Sequence, residues 1–330
     1  MKAAVYTRYG PPDVVQIMDV EKPVPKDDEV SIKVRAAAVN PLDWRILKGA
    51  PSVVRLLFGL HKPTVARPGR PGRDLAGQVE AVGRNVTLFR PGDEVFGASV
   101  GGTFAEYVCA DQKKLARKPA NITFEQAAAV PVAGITALQG LRDIGKVQPG
   151  QKVLINGAAG GVGTFAVQIA KSLGAEVTGV CSTRNVEMVR ALGADEVIDY
   201  TREDFTNSGH LYDVMLDCMG NHPFSAYRRV LTRKGICAIA GGPKETWVIL
   251  IRALQAPVLS RLVSQNFITF VARILHEDLN NLHELIKSEK VTPVVDRCYK
   301  LSEAAEALRY LEEGHARGKV VITLESDNKT

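Results

Sequence analysis

Residues 152–174 read Lys152-Val-Leu-Ile-Asn-Gly-Ala-Ala-Gly-Gly-Val-Gly-Thr-Phe-Ala-Val-Gln-Ile-Ala-Lys-Ser-Leu-Gly174. Val153, Leu154 and Ile155 form a short, wholly apolar run, the texture of a parallel strand covered on both faces. Past the glycines, Val162, Phe165, Ala166, Ile169, Ala170 and Leu173 recur at helical spacing, with Lys171 in the last turn and Gly174 placed to end the helix. Between strand and helix, residues without a Cβ let a pyrophosphate approach the free N–H groups at the positive end of the helix. Ala158, Gly160 and Gly163 match the spacing G-x-G-x-x-G with Ala for the first Gly. The preceding strand and following helix turn a weak fingerprint into a dinucleotide-binding one, against the alternative of a glycine-rich turn with no ligand.

The end of the next strand decides which dinucleotide. A site for NAD places an acid about 20 residues beyond the glycines, to hold the ribose 2′-hydroxyl. Here the chain reads Glu176-Val-Thr-Gly-Val-Cys-Ser182-Thr183-Arg184, and no acid ends the strand. Arg184 can fork onto a phosphate and Ser182 can donate to one, so NADP(H) is the expected coenzyme. The competing reading of Ser-Thr-Arg is an ordinary exposed turn.

With 330 residues the chain is too long for one comfortable core, and two domains are expected. A hydrophobic content of 45% against 24% charged residues is that of a soluble globular protein, and the net charge of +6 suits an anionic ligand without identifying it. Cys109, Cys181, Cys218, Cys237 and Cys298 lie far apart and are odd in number. That spacing argues against a disulfide framework or a structural zinc site and for a reducing compartment. The N-terminus begins at once as a strand, without the pattern of a signal peptide, so the expected location is the cytosol.

From Met1 to about Phe124 the texture is short strands broken by Gly and Pro, with strands predicted at Val30–Arg35, Leu75–Gly83 and after Pro91-Gly92. Beyond Thr123, which opens a helix before Ala127, strand and helix signals alternate. Strands are predicted at 152–156, 176–181, 196–199, 213–217 and 235–240, and helices at about 161–173, 184–192 and 222–231. The result is an α/β protein in which a doubly wound parallel sheet joins a compact, mostly β domain. Residues 244–275 interrupt the alternation with a strongly apolar segment, read as a buried helix, a pocket wall or a subunit interface; its arginines leave stretches too short for a membrane span. Ser302 is expected to open a last helix ending at Gly314, followed by a strand over Lys319–Leu324 and a frayed polar tail from Glu325.

Assembled, the chain resembles the medium-chain dehydrogenase/reductase superfamily, and within it the zinc-independent NADPH:quinone oxidoreductase-like branch. The resemblance rests on Ala36-Ala-Ala-Val-Asn-Pro-Leu-Asp43, Pro71-Gly-Arg-Asp-Leu-Ala-Gly77, Pro91-Gly-Asp-Glu-Val-Phe-Gly97, Val130-Pro-Val-Ala-Gly-Ile-Thr-Ala137, Ala158-Ala-Gly-Gly-Val-Gly163 and Gly314-His-Ala-Arg-Gly-Lys319, in the family's order. It implies a GroES-like domain over 1–124 completed by 297–330, a Rossmann domain over 125–296, an active site in the cleft between them, and a homodimer. Zinc-dependent relatives carry a Cys near position 40, a Gly-His-Glu triplet and a third ligand near Val130. Asn40-Pro41, Gly72-Arg73-Asp74 and Val130-Pro131 stand there instead, so no metal is expected.

By the same resemblance Ala159, Gly160, Gly161, Val162 and Gly163 cradle the pyrophosphate, and Ser182, Arg184 and Tyr200 surround the 2′-phosphate. Thr136, Gly241, Phe267, Arg317 and Lys319 line the nicotinamide half. Asn40 and Asp43 match an Asn-x-x-Asp pattern at the catalytic side, where Asn40 can hydrogen-bond the coenzyme or the acceptor oxygen. Each has a plainer alternative: Asn40-Pro41 is a common turn, Asp43 can fix a loop or pair with Arg45 or Lys48, and Tyr200 can be a strand-end aromatic. Arg73 and Asp74 are expected to form a structural ion pair, and the six histidines, His61 included, show no ligand spacing.

Oxidising an alcohol requires an alkoxide to be stabilised, which zinc does as a Lewis acid. A conjugated carbonyl accepts hydride more readily because the product spreads the charge, so an NADPH-dependent quinone or enone reductase is expected. The alternatives are a metal-free NADP-dependent alcohol dehydrogenase and a low-turnover NADPH-binding protein with a nucleic-acid or regulatory role. No interleaved aromatic and basic run supports nucleic-acid binding.

Overall fold

The computed structural model describes residues 1–49, 62–243 and 245–324; His61, Lys244 and the tail from Glu325 lie outside the described residues. The chain forms two units. One holds Met1–Val132, Ile274–Ser288 and Pro293–Thr330, the other Ala133–Arg273 and Glu289–Thr292.

In the first unit β1 (Lys2–Val5) and β2 (Gln16–Asp19) pair antiparallel. Strand β3 (Glu29–Val39) starts with the alternation that the sequence predicts, Val30, Ile32 and Val34 being buried. It runs on to Val39 because Ala36, Ala37 and Ala38 are small enough to be buried on both faces of a crowded sheet. It pairs with β4 (Asp74–Val82) and β6 (Tyr107–Asp111), and β4 leads on through β5 (Glu94–Ala98) to β7 (Leu115–Arg117). Helix α1 (Pro41–Leu47) follows β3 directly, with Pro41 at its first position, where the missing N–H costs nothing. Helix α2 (Phe124–Ala128) is capped as expected: the Gln126 N–H donates to Thr123 Oγ1, and the Thr123 N–H donates to Gln126 Oε1. Residues 125–128 of this helix, which the resemblance assigns to the Rossmann domain, belong to the first unit.

Helix α3 (Pro131–Gln139) comes next in the chain, before the second unit's sheet. That sheet is built from β8 (Lys152–Asn156), α4 (Gly161–Ser172), β9 (Glu176–Cys181), α5 (Val186–Ala191), β10 (Glu196–Asp199), β11 (Tyr212–Asp217), α6 (Phe224–Arg229), β12 (Leu231–Ile239), α7 (Thr246–Leu262) and β13 (Asn266–Thr269). All six strands are parallel, in the order β10-β9-β8-β11-β12-β13. This is the doubly wound order, whose switch point lies beyond the carboxyl end of β8, where the glycine turn sits. Val153, Leu154 and Ile155 are fully buried between β9 and β11.

The 244–275 segment is not a buried helix. In α7, Ala256 and Leu259 pack on the core with Phe267, whereas Trp247, Ile251, Leu254, Val258 and Leu262 stand 52–77% exposed. Spacings of four, three, four and four residues put them on one outer stripe.

The chain then returns to the first unit through α8 (His276–Lys287), β14 (Val295–Lys300), α9 (Ala304–Glu313) and β15 (Lys319–Thr323). Residues Leu301–Glu303 form a 3-10 turn, so α9 begins behind Glu303 rather than Ser302; it ends as expected at Gly314, left-handed at φ +85°. Strand β15 lies between β14 and β3, pairing Val320 with Val39. All five cysteines are free.

At the second unit's turn, a Cβ on Gly163 would stand 2.1 Å from the Gly157 carbonyl oxygen and 2.7 Å from Ala158 backbone atoms. Backbone cannot yield as a side chain does, so Gly163→Ala is expected to cost about 2–3 kcal/mol of stability. A lowered urea midpoint at unchanged m-value is the check.

Candidate functional site

The glycine turn is built by backbone bonds. Gly157, at φ +87°, and Ala158 both donate their N–H to Val180 O, at 3.2 and 2.9 Å, which ties the turn to β9. The Gly160 N–H then donates to Gly157 O at 3.1 Å. Gly160 is the N-cap of α4 and caps it with no side chain. The first bond of the helix is Thr164 N–H to Gly160 O at 2.9 Å, so the amides of Gly161, Val162 and Gly163 precede it, as at any helix start. A Cβ on Gly160 would meet only Gly157 O, at 3.5 Å, an ordinary contact. Packing demands glycine at Gly163; at Gly160 it keeps a mouth lined by N–H groups clear, the shape an anionic phosphate fits.

At the tips of β9 and β10 the structure brings together Ser182, Thr183, Arg184, Asp199 and Tyr200. Ser182 Oγ accepts from Asn185 Nδ2 at 3.1 Å, the Tyr200 N–H donates to Cys181 O at 3.0 Å, and the Arg184 and Tyr200 side chains are exposed. Asp199, absent from the sequence argument, ends β10 beside Cys181. Its Oδ2 accepts from Thr183 Oγ1 at 2.6 Å and its Oδ1 from the N–H and hydroxyl of Thr201 at 3.0 and 2.8 Å. The Thr183 hydroxyl first, then the hydroxyl and N–H of Thr201, hold its carboxyl below the usual range. A sequence search confined to the end of β9 could not find it, since register alone brings β10 alongside. Thr136 and Phe267 are buried, Phe267 in the core against Phe224 at 5.1 Å between ring centres, so its side chain is committed to packing. Gly241 lies against the Cys218 backbone, 2.0 Å from where a Cβ would stand, a packing reason for that glycine.

The first unit carries a buried polar network. Lys319 Nζ donates to Asn40 Oδ1 at 2.6 Å, Asp74 Oδ2 at 3.1 Å and Val39 O at 3.3 Å. Lys319, Asp74 and Asn40 are all buried. Asn40 Nδ2 donates to Asp74 Oδ2 at 3.0 Å and Ala38 O at 3.4 Å, and Asp74 Oδ1 accepts from the Val132 N–H at 3.0 Å. The ion partner of Asp74 is therefore Lys319, where the sequence pointed to Arg73. Both Nδ2 protons of Asn40 and one acceptor position of its Oδ1 are engaged in this network, and Lys319 likewise has its three donors engaged. Arg317, two residues away, is exposed and donates its N–H to Asp296 Oδ2 at 3.0 Å.

Asp43, at the third position of α1, closes a capping box by accepting from the Asn40 N–H at 2.8 Å, and its other oxygen accepts from the Gly72 N–H at 3.2 Å. It fixes a loop, as one alternative held, and not through Lys48, which pairs with Glu312. Burial pushes its carboxyl up to about 6, against the opposing pull of those amides and the Arg73 guanidinium. Asp43 also lines a pocket of about 500 Å³ with Tyr6, Ile46, Arg67, Arg70, Arg73 and Val100. The sequence reading missed this pocket because its arginines carry no motif.

The histidines serve locally: His276 Nδ1 lies 2.6 Å from Leu115 O, and His283 Nδ1 lies 2.8 Å from Arg117 O. Among the described residues no three His, Cys, Asp or Glu side chains converge as metal ligands, and no helix is long and apolar enough to cross a membrane.

A family model described as an alcohol dehydrogenase GroES-like domain matches residues 26–120, and one described as a zinc-binding dehydrogenase matches residues 192–322. Over 98% of both chains, the protein is 34% identical to the chloroplast envelope quinone oxidoreductase homolog of Arabidopsis thaliana. It belongs to the medium-chain dehydrogenase/reductase superfamily, in the quinone oxidoreductase-like branch. It is also 37% identical to a chloroplastic NADPH-dependent alkenal/one oxidoreductase of the same plant, over 98% of this chain and 79% of that protein. The quinone oxidoreductase of Coxiella burnetii superposes with a TM-score of 0.88 at 32% identity, covering 98% of this chain and 99% of the other. The chain is an oxidoreductase.

Membership of this superfamily raises the question of zinc, and the residues do not suit it. At the positions of the resemblance stand an amide and a carboxylate that already share a lysine ammonium, together with the apolar pair Val130-Pro131. None is the thiolate or free imidazole that zinc prefers.

Removing the ammonium should leave the buried Asp74 carboxyl without its ion partner. Lys319→Met is expected to destabilise the protein by about 3–5 kcal/mol, read by urea unfolding. The sign for Asp43 is opposite to that of a paired carboxylate. With a folded pKa of about 6 above an ordinary 3.8, its contribution is full below 3.8 and lost as pH rises through 6. The lost acceptor in Asp43→Asn costs the same at every pH. Relative to the unsubstituted protein, the variant should therefore gain on the order of 2–3 kcal/mol between pH 4 and 7, as followed by urea midpoints.

Proposed function

We propose that this chain is an NADPH-dependent reductase of quinones and α,β-unsaturated carbonyls that works without a metal. The observation that carries the reading is the mouth of α4, where amides precede the first helical bond and Gly160 keeps the space before them clear. Ala159, Gly161, Val162 and Gly163 would hold the pyrophosphate by backbone donors, with Gly160 leaving room for its approach and the helix dipole adding to the attraction. Ser182, Arg184 and Tyr200 would hold the 2′-phosphate, with Thr136 and Gly241 toward the nicotinamide. The Asp199 charge does not contradict this, because three donors from Thr183 and Thr201 already face it.

When bound, NADPH supplies the hydride. The chain's own residues bind, orient and exclude water. Asn40 and Asp43 are positioning residues in this reading: one ties β3 to the Lys319–Asp74 pair, the other pins the Gly72 turn. With no Lewis acid, a conjugated acceptor that delocalises its own developing charge is the chemistry such a scaffold supports best. Free cysteines throughout fit a cytosolic setting. The outer apolar stripe of α7, next to β13 at the edge of the sheet, fits a homodimer.

Following NADPH consumption across a quinone panel and an enone panel, and NADPH formation across an alcohol panel with NADP, separates the readings. Tight coenzyme binding with no turnover on any panel would leave a binding protein. Arg184→Ala should raise the KM for NADPH about tenfold while NADH use stays nearly constant; equal losses with both would refute the 2′-phosphate assignment.

A further inference from the structure

The pocket beside Asp43 has a charge pattern that neutral quinones and alkenals do not need. Arg67, Arg70 and Arg73 line it, and among the described lining residues Asp43 is its only carboxylate. That carboxylate is turned onto the Asn40 and Gly72 amides. The pocket therefore presents an excess of guanidinium charge, in the fork geometry that suits carboxylate and phosphate oxygens.

The arginines sit on a shaped frame. A Cβ on Gly102, at φ +84°, would stand 3.4 Å from Arg70 Cβ and 3.5 Å from Arg70 Cδ, so the Arg70 stem lies along the glycine backbone. Arg73 is half-buried and immediately precedes β4, whose first residue, Asp74, is locked by Lys319. Tyr6 and Ile46 give the pocket an apolar wall, and burial pushes the Tyr6 phenol up to about 12, so it stays a neutral donor. A space of about 500 Å³ lined by Tyr6, Ile46 and Val100 together with three arginines takes a small organic acid better than a bare ion.

We propose that this pocket binds the oxyanion group, carboxylate or phosphate, of a small organic molecule, and that the acceptor this chain reduces carries such a group. The second half rests on the enone and quinone reading; the first does not.

Steady-state reduction of 4-oxo-2-pentenoate and of its methyl ester by the full chain with NADPH tests both halves. The acid should show a KM at least about fivefold below the ester's, and Arg70→Gln should shrink that preference about tenfold. Equal KM values for acid and ester would overturn the acceptor assignment while leaving enone reduction standing. If neither is reduced, the enone reading fails instead, and calorimetry decides the site. Titrating the NADPH-saturated protein with the saturated analogue 4-oxopentanoate, and separately with inorganic phosphate, should show binding of at least one, weakened about tenfold by Arg70→Gln. The stronger of the two identifies the group, whereas no binding of either, or binding indifferent to Arg70→Gln, overturns the proposal.

Discussion

A lysine ammonium buried among a carboxylate, an amide oxygen and a main-chain carbonyl sets the geometry of the first unit. Lys319 cannot be buried alone, since an uncompensated charge in a dry interior costs several kcal/mol, so β15 is held to the one register that brings it onto Asn40 and Asp74. From there the constraint propagates. Asn40, fixed by that bond, is the N-cap of α1; Asp43, one turn on, receives the Asn40 N–H and reaches across to the Gly72 turn, which feeds Arg73 and β4. One ion pair thereby places a helix start, a tight turn and one wall of a pocket.

The two proposed sites would meet negative charge by different physics. In the second unit the cradle would be backbone, with amides ahead of the first helical bond that have no rotamer to lose and sit above a strand buried on both faces. In the first, the positive charge lies on arginine side chains, which are longer and mobile and select by their planar fork. In that proposal a backbone cradle suits the coenzyme's constant pyrophosphate, and an arginine lining suits the planar oxyanion of an organic acid.

Legibility in the sequence followed the range of the interactions. Strand β8, the glycine turn and α4 could be read residue by residue because their signals are local: an apolar run, missing Cβ atoms and a 3.6-residue period. The Thr123 cap was legible for the same reason. The partners of Asp74 and Asn40 were not, because Lys319 arrives from a strand far along the chain and only register reveals the meeting. Asp199 was overlooked similarly, being a neighbour in the sheet and not in the chain. The exposed stripe of α7 could be narrowed in the sequence only to a buried helix, a pocket wall or an interface, since an apolar helix face reads the same whether it meets its own core or another surface.

The pairing of β15 with β3 has a consequence for synthesis. Asn40 and Lys319 stand 279 residues apart, so at about 5–20 residues per second β3 waits roughly 15–60 s on the ribosome for the strand that pairs with it and carries the ammonium for Asp74. The second unit is nearly all contiguous and can collapse in that interval, while the first waits with an uncovered strand edge and an unmatched acid. Nascent chains are thus most vulnerable in the half translated first, and it is there that a chaperone holding the growing polypeptide would do the most good.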